Sequence, residues 1–582
     1  MAGPEKPIVR LPGFGIFHPI GSSILRDFPI MLAGLALFYA LLSVTHYWLT
    51  PVSNQTEIRL EPSALPKYAM FSLLRIALAY VLSLLFTFAY GYTAAYNRKA
   101  ERVLIPLLDT LQSIPVLSFL PGVMLSMVAL FPTKQFGLEL GSIVLIFTGQ
   151  VWNMTFSFYS SLKSIPQEMH EVARIYRLSW WQKFTQIELP YSVIGLVWNS
   201  MMSVAGAWFF LMACEMFVLG NHDLRLPGLG SYLQTAANQG NTSAIAWGLA
   251  VMVGVIVLMD QLIWRPIIAW AEKFKFEQVE ATEAPRSPIL SLLRSSRLLP
   301  FIARFTTRPA RESVDLYFAR RQESEPQSHS SSAWRMWVAR LFAGALVVAV
   351  GYAFVRMAVL LAGIKAAELY PVFTGAGATF LRVEFVLLLA GLWTIPAGLI
   401  IGLRPRLSAV AQPIVQIAAS VPATALFPII LLLLIRAGHG LGIGSIVLLL
   451  LGTQWYILFN VIAGAIALPT DLKEVCNVFH FHRWERWRDL LLPGIFPYLI
   501  TGFVTASGGA WNASIVAEYF HFRGQTFSTV GLGAVISNAS DSGNFRVLLA
   551  ATILMAAMVV TINRLLWRRL YALASTRFRL ET

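Results

Sequence analysis

Two glutamates stand inside long apolar stretches of this sequence, where a carboxylate is an unexpected side chain. Glu215 follows AWFFLMAC, and Glu518 follows AWNASIVA. A carboxylate in apolar surroundings costs several kcal/mol unless it is paired or reached by water. Each glutamate is therefore a candidate for a pathway-lining or gate group, for a structural hydrogen bond to a neighbouring helix, or for a position at the outer headgroups.

The tryptophans before these glutamates are a second candidate site. Trp208 and Trp511 each follow a Gly-Ala pair. They can line a constriction, or they can fill the core where small residues let helices approach closely. Asn512 takes the place that Phe209 has in the first stretch, so a pathway lined by these residues is not chemically twofold.

Two polar loops share another carboxylate pattern. We call residues 164–189 the first matched loop and residues 467–492 the second matched loop. Each loop contains an apolar stripe at helical spacing, formed by Met169, Val172, Ala173 and Tyr176 in the first and by Leu472, Val475, Cys476 and Phe479 in the second. A capping box is predicted for Ser164 with Gln167, and a second short helix in each loop is predicted to be capped locally, at Ser179 with Gln182 and at His482 with Glu485.

Other chemistry is not indicated by the sequence. It has no G-x-x-x-x-G-K phosphate loop, so the chain cannot bind ATP by that mechanism, and no cofactor or catalytic residue is predicted in it. No metal site is predicted either, because the histidines lack metal-ligand spacing with acidic or cysteine partners. Those histidines are His170, His480, His482 and His521.

Composition places these residues in a membrane. The chain has 582 residues, of which 56% are hydrophobic and 13% charged, whereas soluble proteins carry about 25% charged residues. We predict an all-α integral membrane protein with two tandem six-helix domains and about twelve transmembrane helices. The predicted spans are 28–49, 68–96, 103–131, 138–161, 190–219 and 243–270, then 335–363, 371–402, 407–436, 441–467, 493–520 and 544–568.

The basic residues lie between the spans and give the predicted orientation. The net charge of +15 does not indicate nucleic-acid binding, because the Lys and Arg residues are spread over loops that fall on one side. This bias places both termini and both matched loops in the cytoplasm. The predicted division is a cytoplasmic segment 1–27, a first domain 28–271, a cytoplasmic linker 272–333 and a second domain 334–582.

The linker combines flexible and amphipathic sequence. EATEAPRSP and RRQESEPQSHSSS are polar and rich in Pro or Ser, which is typical of flexible chain. Between them, SPILSLLRSSRLLPFIARF mixes apolar residues with Arg. This segment is either a basic helix on the inner membrane face or a connector that shields apolar surface locally.

The chain repeats itself. GSIVL occurs at 141–145 and again at 444–448, an offset of 303 that holds without a gap for more than 120 residues. Upstream, the prolines at 106, 115 and 121 match those at 413, 422 and 428 at an offset of 307. Both copies have six spans from the same side, which indicates a parallel repeat about an axis along the membrane normal.

The matched loops resemble the EAA loop of ABC-importer permeases, in which Glu-Ala-Ala is followed by a Gly six residues after the Glu and by a later Ile-x-Leu-Pro. SIPVLSFLP, SVPATALFP and the repeated GAW–E–GLG run resemble the nitrate, sulfonate, taurine and bicarbonate branch of that family. By this resemblance, the residues that couple to an ATPase are Glu171, Ala173, Arg177, Leu189, Pro190, Glu474, Cys476, His480, Leu492 and Pro493.

Two departures from the family pattern stand out. The motif Gly is Arg177 in the first loop and His480 in the second, and the second motif Ala is Cys476. Because glycine supplies a left-handed residue without steric cost, we expect these loops to bend differently from the family pattern.

The resemblance implies a transport function. The chain would be the permease component of an ATP-driven importer in the bacterial plasma (inner) membrane, for a small anion or organic solute. Its partners would be two copies of an ABC ATPase subunit, which hold ATP and Mg, an extracytoplasmic solute-binding protein and membrane lipid, but no nucleic acid. The alternatives are an ion-coupled secondary carrier, which often has inverted repeats, and a membrane-embedded enzyme, which would need convergent acid, base or metal ligands.

Overall fold

The computed structural model describes residues 57–577 except 133–134, 220–221, 224, 275–287, 297, 325–332, 437, 439, 469–471, 473, 475, 477 and 523–524, together with 28–29, 31–32, 35 and 47–48. The predicted segment 1–27 and most of the predicted span 28–49 therefore lie outside the described residues, as do parts of the predicted linker.

Helices make up most of the described chain. The first half contains α1 (Leu65–Tyr96), α2 (Arg98–Ser113), α3 (Leu120–Leu130), α4 (Phe136–Lys163), α5 (Gln167–Ile175), α6 (Trp180–Lys183), α7 (Leu189–Glu215), α8 (Leu229–Asn238), α9 (Thr242–Met259) and α10 (Arg265–Ala271). The linker contains α11 (Pro288–Ser295), α12 (Leu298–Phe305) and α13 (Thr307–Ser324). The second half contains α14 (Ala333–Ala362), α15 (Ala366–Gly402), α16 (Pro405–Ser420), α17 (Ala423–Arg436), α18 (Leu441–Ala467), α19 (Arg483–Glu485), α20 (Leu492–Ala517), α21 (Leu532–Asp541), α22 (Phe545–Ile562) and α23 (Arg568–Arg577).

The described part of the chain has seven helical stretches that are long and apolar enough to cross a membrane. Two further predicted spans, 103–131 and 407–436, are each a pair of helices bent by 85° and by 76°, which brings the number to nine if each pair is one span. The all-α membrane fold is confirmed. The number of twelve spans stays a prediction.

A proline marks each bend. Ile114 before Pro115 and Val421 before Pro422 are both extended, with ψ angles of 129° and 116°. Proline disfavours helical geometry in the residue before it, because its ring clashes with that residue's backbone. The two bends match at the offset of 307, so the repeated SIPVLSFLP and SVPATALFP motifs encode the same break in each half.

Small residues let the central helices pack closely. A Cβ on Gly398 of α15 would lie 2.7 Å from Val461 of α18, and one on Gly402 would lie 2.6 Å from Ala465. In the first half, a Cβ on Gly91 of α1 would lie 2.8 Å from Phe158 of α4. These contacts leave no room for a larger side chain, and Gly91 and Gly398 are matched at the offset of 307.

In each half, a β-hairpin brings the chain back to the glutamate at the end of a long helix. An antiparallel hairpin follows α7, with strands β1 (Val218–Leu219) and β2 (His222–Asp223), and another follows α20, with strands β3 (Tyr519–Phe522) and β4 (Gln525–Ser528). The Leu226 amide donates to the Glu215 carbonyl at 3.2 Å, and the Thr529 amide donates to the Glu518 carbonyl at 3.0 Å. The hairpins thereby bring α8 and α21 back to the ends of α7 and α20.

Candidate functional site

Glu215 ends α7 and is fully buried. Its Oε1 accepts from Ser72 Oγ and Arg75 Nη1, both at 2.7 Å, and its Oε2 accepts from the Gly230 amide, also at 2.7 Å. Ser72 Oγ in turn accepts from the Leu229 amide at 3.0 Å. The carboxylate therefore joins α1 to the first turn of α8, where free backbone N–H groups favour a negative charge.

The second half contains the same arrangement around Glu518. Its carboxylate accepts from Thr379 Oγ1 at 2.8 Å, from Arg382 Nη1 and from the Gly533 amide at 2.8 Å. Thr379 Oγ1 accepts from the Leu532 amide at 2.7 Å. We call Ser72, Arg75, Glu215 and Gly230 the first clamp, and Thr379, Arg382, Glu518 and Gly533 the second clamp.

The clamps explain the repeated Gly-Leu-Gly run. A Cβ on Gly228 would lie 2.2 Å from Glu215 Cδ, and a Cβ on Gly531 would lie 2.1 Å from Glu518 Oε2. Atoms cannot approach so closely, so each position must lack a side chain. The first glycine of the run is therefore required by the carboxylate that caps the following helix.

The two clamps differ in charge. Arg75 also makes a two-point ion pair with Glu139, in which the Nε–Oε2 and Nη2–Oε1 distances are both 2.6 Å. Gly442 matches Glu139 at the offset of 303 and supplies no second carboxylate to Arg382. Both arginines also donate to a matched backbone carbonyl at 3.0 Å, Arg75 to Pro227 and Arg382 to Val530. The first clamp thus holds one cation between two carboxylates, whereas the second pairs one cation with one carboxylate.

Sequence reasoning found the glutamates and missed their arginines. Arg75 and Arg382 stand in apolar stretches and match at the offset of 307 that the prolines follow, so the repeat carried the signal. Their pairing supports the structural hydrogen bond among the interpretations of Glu215 and Glu518. A role of these glutamates in a pathway stays a prediction.

The first matched loop turns through a Schellman motif at the end of α5. The Leu178 amide donates to the Ala173 carbonyl at 2.9 Å, and the Arg177 amide donates to the Arg174 carbonyl at 3.1 Å. Arg177 is left-handed, with a φ of 48°. Glycine usually occupies this position of the motif because a Cβ is disfavoured there.

The second matched loop makes the same turn. The Phe481 amide donates to the Cys476 carbonyl at 3.0 Å, and His480 has a φ of 51°. The expected change of bend is therefore wrong: both loops keep the left-handed turn without glycine. At the ends of α8 and α21, by contrast, Gly240 and Gly543 take the left-handed position, with φ angles of 65° and 68°.

The predicted coupling residues divide into exposed and buried groups. Glu171, Arg177, Glu474 and His480 are exposed, whereas Ala173 and Cys476 are buried. The four residues that begin the following spans are half-buried, namely Leu189, Pro190, Leu492 and Pro493. Among the predicted coupling residues, each loop therefore presents one carboxylate and one basic side chain at its surface.

The predicted caps of both second short helices are confirmed, and in the second loop Glu485 Oε2 accepts from the His482 amide at 2.8 Å. Ser179 Oγ accepts from the Gln182 amide at 3.2 Å, and Gln182 Oε1 accepts from the Ser179 amide at 2.9 Å. The box of Ser164 with Gln167 is wrong, because Pro166 holds the N-cap position of α5.

An open cleft of about 1170 Å³ adjoins the first matched loop, and Tyr96, His170, Glu171, Arg177 and Lys183 contribute to its lining. Burial lowers the pKa of His170, and the positive charge of Lys183 acts in the same direction. Both effects favour the neutral form of this histidine.

Behind this cleft, Glu188 is fully buried and accepts from Tyr96 Oη at 2.6 Å and pairs with Lys183 Nζ at 3.0 Å. The matching positions of the second half, which are Leu403, Arg486 and Leu491, carry no carboxylate. The surroundings of the two matched loops thus differ in chemistry.

The linker touches the first matched loop. Phe318 of α13 stacks on Trp181 with ring centroids 5.9 Å apart, and its ring lies 5.8 Å from that of Trp180. A partner that binds this loop would therefore meet α13 as well.

The remaining candidates lie at the core and between the halves. Trp208 and Trp511 are fully buried, and within the described part of the chain their indole nitrogens have no hydrogen-bond partner. Asn512 Oδ1 accepts from the Leu117 amide of the first half at 3.3 Å. Burial fits the packing interpretation of the tryptophans, and a pathway role for all three residues stays a prediction.

Comparison with known proteins gives the family context for these features. The chain is 28% identical over 188 residues to the nitrate import permease protein NrtB of Leptolyngbya laminosa, covering 32% of this chain and 64% of the relative. It is 23% identical over 212 residues to the putative aliphatic sulfonates transport permease protein SsuC of Bacillus subtilis, covering 36% and 71%. It is 25% identical over 203 residues to the bicarbonate transport system permease protein CmpB of Synechococcus elongatus, covering 35% and 66%.

The chain thus spans less than two thirds of the nitrate and bicarbonate relatives' length. The family model of the binding-protein-dependent transport system inner membrane component matches twice, at residues 87–262 and 394–579, and together these matches cover more than half of the chain. Each match contains one matched loop and one clamp glutamate. The chain therefore belongs to the family of binding-protein-dependent transport system inner membrane components, with two family domains in one polypeptide.

Proposed function

We propose that this chain is the permease component of an ATP-driven ABC importer, in which the two halves form the solute pathway and each matched loop binds one ATPase subunit. The pair of matched loops carries this proposal. Each loop holds a basic side chain in the left-handed conformation, although Gly240 and Gly543 show that glycine fills that position elsewhere in the chain. Local strain of this kind is typical of functional positions, so the basic side chains are the feature that a partner would recognise.

Each matched loop is connected by one long helix to the clamp glutamate at the other end of that helix. The π-turns Phe184–Glu188 and Arg486–Leu491 lead from the matched loops into α7 and α20, whose far ends carry the clamp glutamates. π-turns are common at functional sites. A movement of an ATPase against a matched loop would thereby pass along one helix to α8 or α21 at the outer face.

The partners and solute follow from the family. We assign ATP and Mg to two separate ATPase subunits, and solute delivery to an extracytoplasmic binding protein. The relatives are named for nitrate, aliphatic sulfonates and bicarbonate, so the solute class that we propose is a small oxyanion. The proposed domains remain 28–271 and 334–582, joined by the linker 272–333, with both termini in the cytoplasm.

The coupling role predicts the effect of reversing both loop charges. Glu171→Lys with Glu474→Lys should leave the protein inserted but lower ATPase co-purification and uptake-linked ATP hydrolysis by about tenfold or more, because an interface residue of this kind contributes upwards of about 1 kcal/mol. The control is Glu57→Lys, which changes an exposed glutamate near the opposite end of α1. Unchanged assembly and unchanged uptake in the double variant would refute the coupling role.

The orientation has its own check. Cys214 and Cys476 are buried, so a cysteine introduced at Arg177 or His480 can be labelled selectively. A membrane-impermeant thiol reagent should reach these positions only in inside-out vesicles, and should reach Ser542→Cys, at the end of α21, only from the outside. Labelling of residue 177 or 480 from the outside would contradict both the orientation and the coupling proposal.

Glycine in the left-handed positions should separate stability from coupling. Arg177→Gly and His480→Gly remove a strain of about 1 kcal/mol each and should slow hydrogen exchange at the Leu178 and Phe481 amides, which close the two turns. The same variants should weaken ATPase binding, because the exposed basic side chains are lost.

The control variants are Gly240→Ala and Gly543→Ala, which make the reverse change outside the loops. They should speed hydrogen exchange at the Asn241 and Asn544 amides without affecting ATPase binding. If Arg177→Gly and His480→Gly bound the ATPase as well as the unchanged protein, the strained basic residues would not be needed for ATPase binding.

A further inference from the structure

Two matched positions of the repeat have exchanged their residue types between the halves. The first half has Asn153 on α4 and Phe209 on α7, and the matching residues of the second half are Tyr456 on α18 and Asn512 on α20. Each half therefore supplies one amide and one aromatic ring, but on opposite helices. Each half thus keeps one amide and one aromatic side chain, but neither of the two positions is twofold symmetric.

Tyr456 lies between twofold-related glycines. A Cβ on Gly206 of the first half would lie 3.6 Å from Tyr456 Oη, and a Cβ on Gly509 of its own half would lie 3.2 Å from Tyr456 Cε2. These glycines match at the offset of 303 and begin the repeated Gly-Ala-Trp runs. A ring that contacts both members of a symmetric pair lies close to the pseudo-twofold axis, where a pathway between the halves has to pass.

The two amides have different surroundings. Both polar atoms of the Asn512 side chain already make hydrogen bonds within the protein. Its Oδ1 accepts from the Leu117 amide across the interface, and its Nδ2 donates to the Gly508 carbonyl at 3.0 Å. Asn153, the mate of Tyr456, is exposed. Tyr456 is half-buried, and no hydrogen bond of its hydroxyl is found among the described residues. Positions 153 and 456 thus carry polar groups that are still able to bind a solute.

We infer that Tyr456 of the second half and Asn153 of the first half form an asymmetric set of hydrogen-bond donors in the pathway. We further infer that Tyr456 determines which oxyanion passes. This inference rests on the proposed function. A tyrosine hydroxyl offers one donor and an asparagine amide offers two, which suits an anion with several acceptor oxygens. Neutral donors also bind an anion weakly enough to release it, whereas a fixed cation would hold it, and conduction needs both entry and exit.

The aromatic ring gives this step its size limit. Because Gly206 and Gly509 flank Tyr456 on two sides, the space beside its ring is set by residues without side chains. A flat, small oxyanion such as nitrate can pass the hydroxyl edge-on, whereas an alkyl sulfonate must bring its carbon chain past the same ring. We therefore expect the ratio of nitrate to alkyl sulfonate uptake to depend on residue 456.

The test compares variants at these two positions, in the complex with the ATPase subunits and the binding protein, with nitrate, an alkyl sulfonate and bicarbonate as probes. Tyr456→Phe keeps the ring and removes the hydroxyl, so uptake efficiency for the transported oxyanion should fall about tenfold, the effect of losing one hydrogen bond to a charged group. ATPase co-purification and basal ATP hydrolysis should stay unchanged. The matched control is Tyr352→Phe, which removes the hydroxyl of an exposed tyrosine on α14.

A second variant separates a solute contact from a packing role. Asn153→Tyr with Tyr456→Asn moves the ring to the other half and should recover uptake to within about threefold of the unchanged protein, because the pair of donors is restored by the pseudo-twofold axis. Tyr456→Asn alone, which leaves two amides and no ring, should change the nitrate-to-sulfonate ratio.

The outcomes distinguish the two proposals. If the unchanged complex takes up an oxyanion and Tyr456→Phe has the same efficiency and the same nitrate-to-sulfonate ratio, the inference about Tyr456 is overturned while the proposed function stands. If the unchanged complex takes up none of the three probes, the oxyanion importer proposal fails, and the inference fails with it.

Discussion

Arg75→Met is expected to prevent the first half from folding stably. Arg75 is 1% exposed and pairs with both Glu139 and Glu215, which are 1% and 0% exposed. Methionine has a similar length but no charge, so the variant would leave two buried carboxylates without a cation. Breaking a buried pair by removing one partner costs about 3–5 kcal/mol, and here one cation serves two partners. Little folded protein should be recovered from membranes, and its midpoint of thermal unfolding in detergent should fall.

The two clamps supply the controls for this experiment. Glu139→Gln should be much milder, because Gly442 at the matching position shows that a clamp with one carboxylate can form. Arg382→Met should be harmful but less so than Arg75→Met, because Arg382 is 12% exposed and has one carboxylate partner. Arg75→Met with Glu139→Gln and Glu215→Gln removes all three charges and should recover part of the folded yield. An Arg75→Met protein with the yield and unfolding midpoint of the unchanged chain would contradict the role of the clamp.

Gly228→Ala and Gly531→Ala should have effects almost as large. A Cβ would lie 2.2 Å from Glu215 Cδ in the first case and 2.1 Å from Glu518 Oε2 in the second. These atoms lie at the ends of side chains, but both carboxylates are fixed by an arginine, a hydroxyl and a backbone amide. The methyl group can be accommodated only if the clamp opens, so we expect a loss of about 3 kcal/mol or more, which combines overpacking with a broken ion pair.

Two other glycines make matched controls for the added methyl group. Gly254 on α9 and Gly508 on α20 have open space where a Cβ would lie. Gly254→Ala and Gly508→Ala should leave folded yield and the unfolding midpoint unchanged or slightly raised, because alanine favours helix more than glycine does by about 1 kcal/mol. If Gly228→Ala and Gly531→Ala were as stable as these controls, the Gly-Leu-Gly run would not be explained by the clamp.

The sequence alone determined the class of protein and the organisation of its chain. Apolar stretches report directly on the membrane, because the energy of burying a segment in lipid is a sum over its own residues. The two offsets, 303 and 307, located the matched loops, the prolines and both glutamates. The Leu-Pro and Gly-Leu-Gly runs could be found in the same way, since an internal repeat is detected from the amino-acid sequence without a structure.

Tertiary structure decided what those residues touch. Whether Glu215 faces a pathway or an arginine depends on α1, which is more than a hundred residues away in the chain, and no local pattern encodes that contact. Likewise, the absence of glycine at 177 and 480 predicted a different bend, yet the backbone hydrogen bonds of the Schellman turn hold both residues in the left-handed region against their own preference. The exchange of Asn153 and Phe209 for Tyr456 and Asn512 is visible in the sequence once the repeat is aligned. Its meaning came from the packing, because only the fold places Tyr456 between Gly206 of one half and Gly509 of the other.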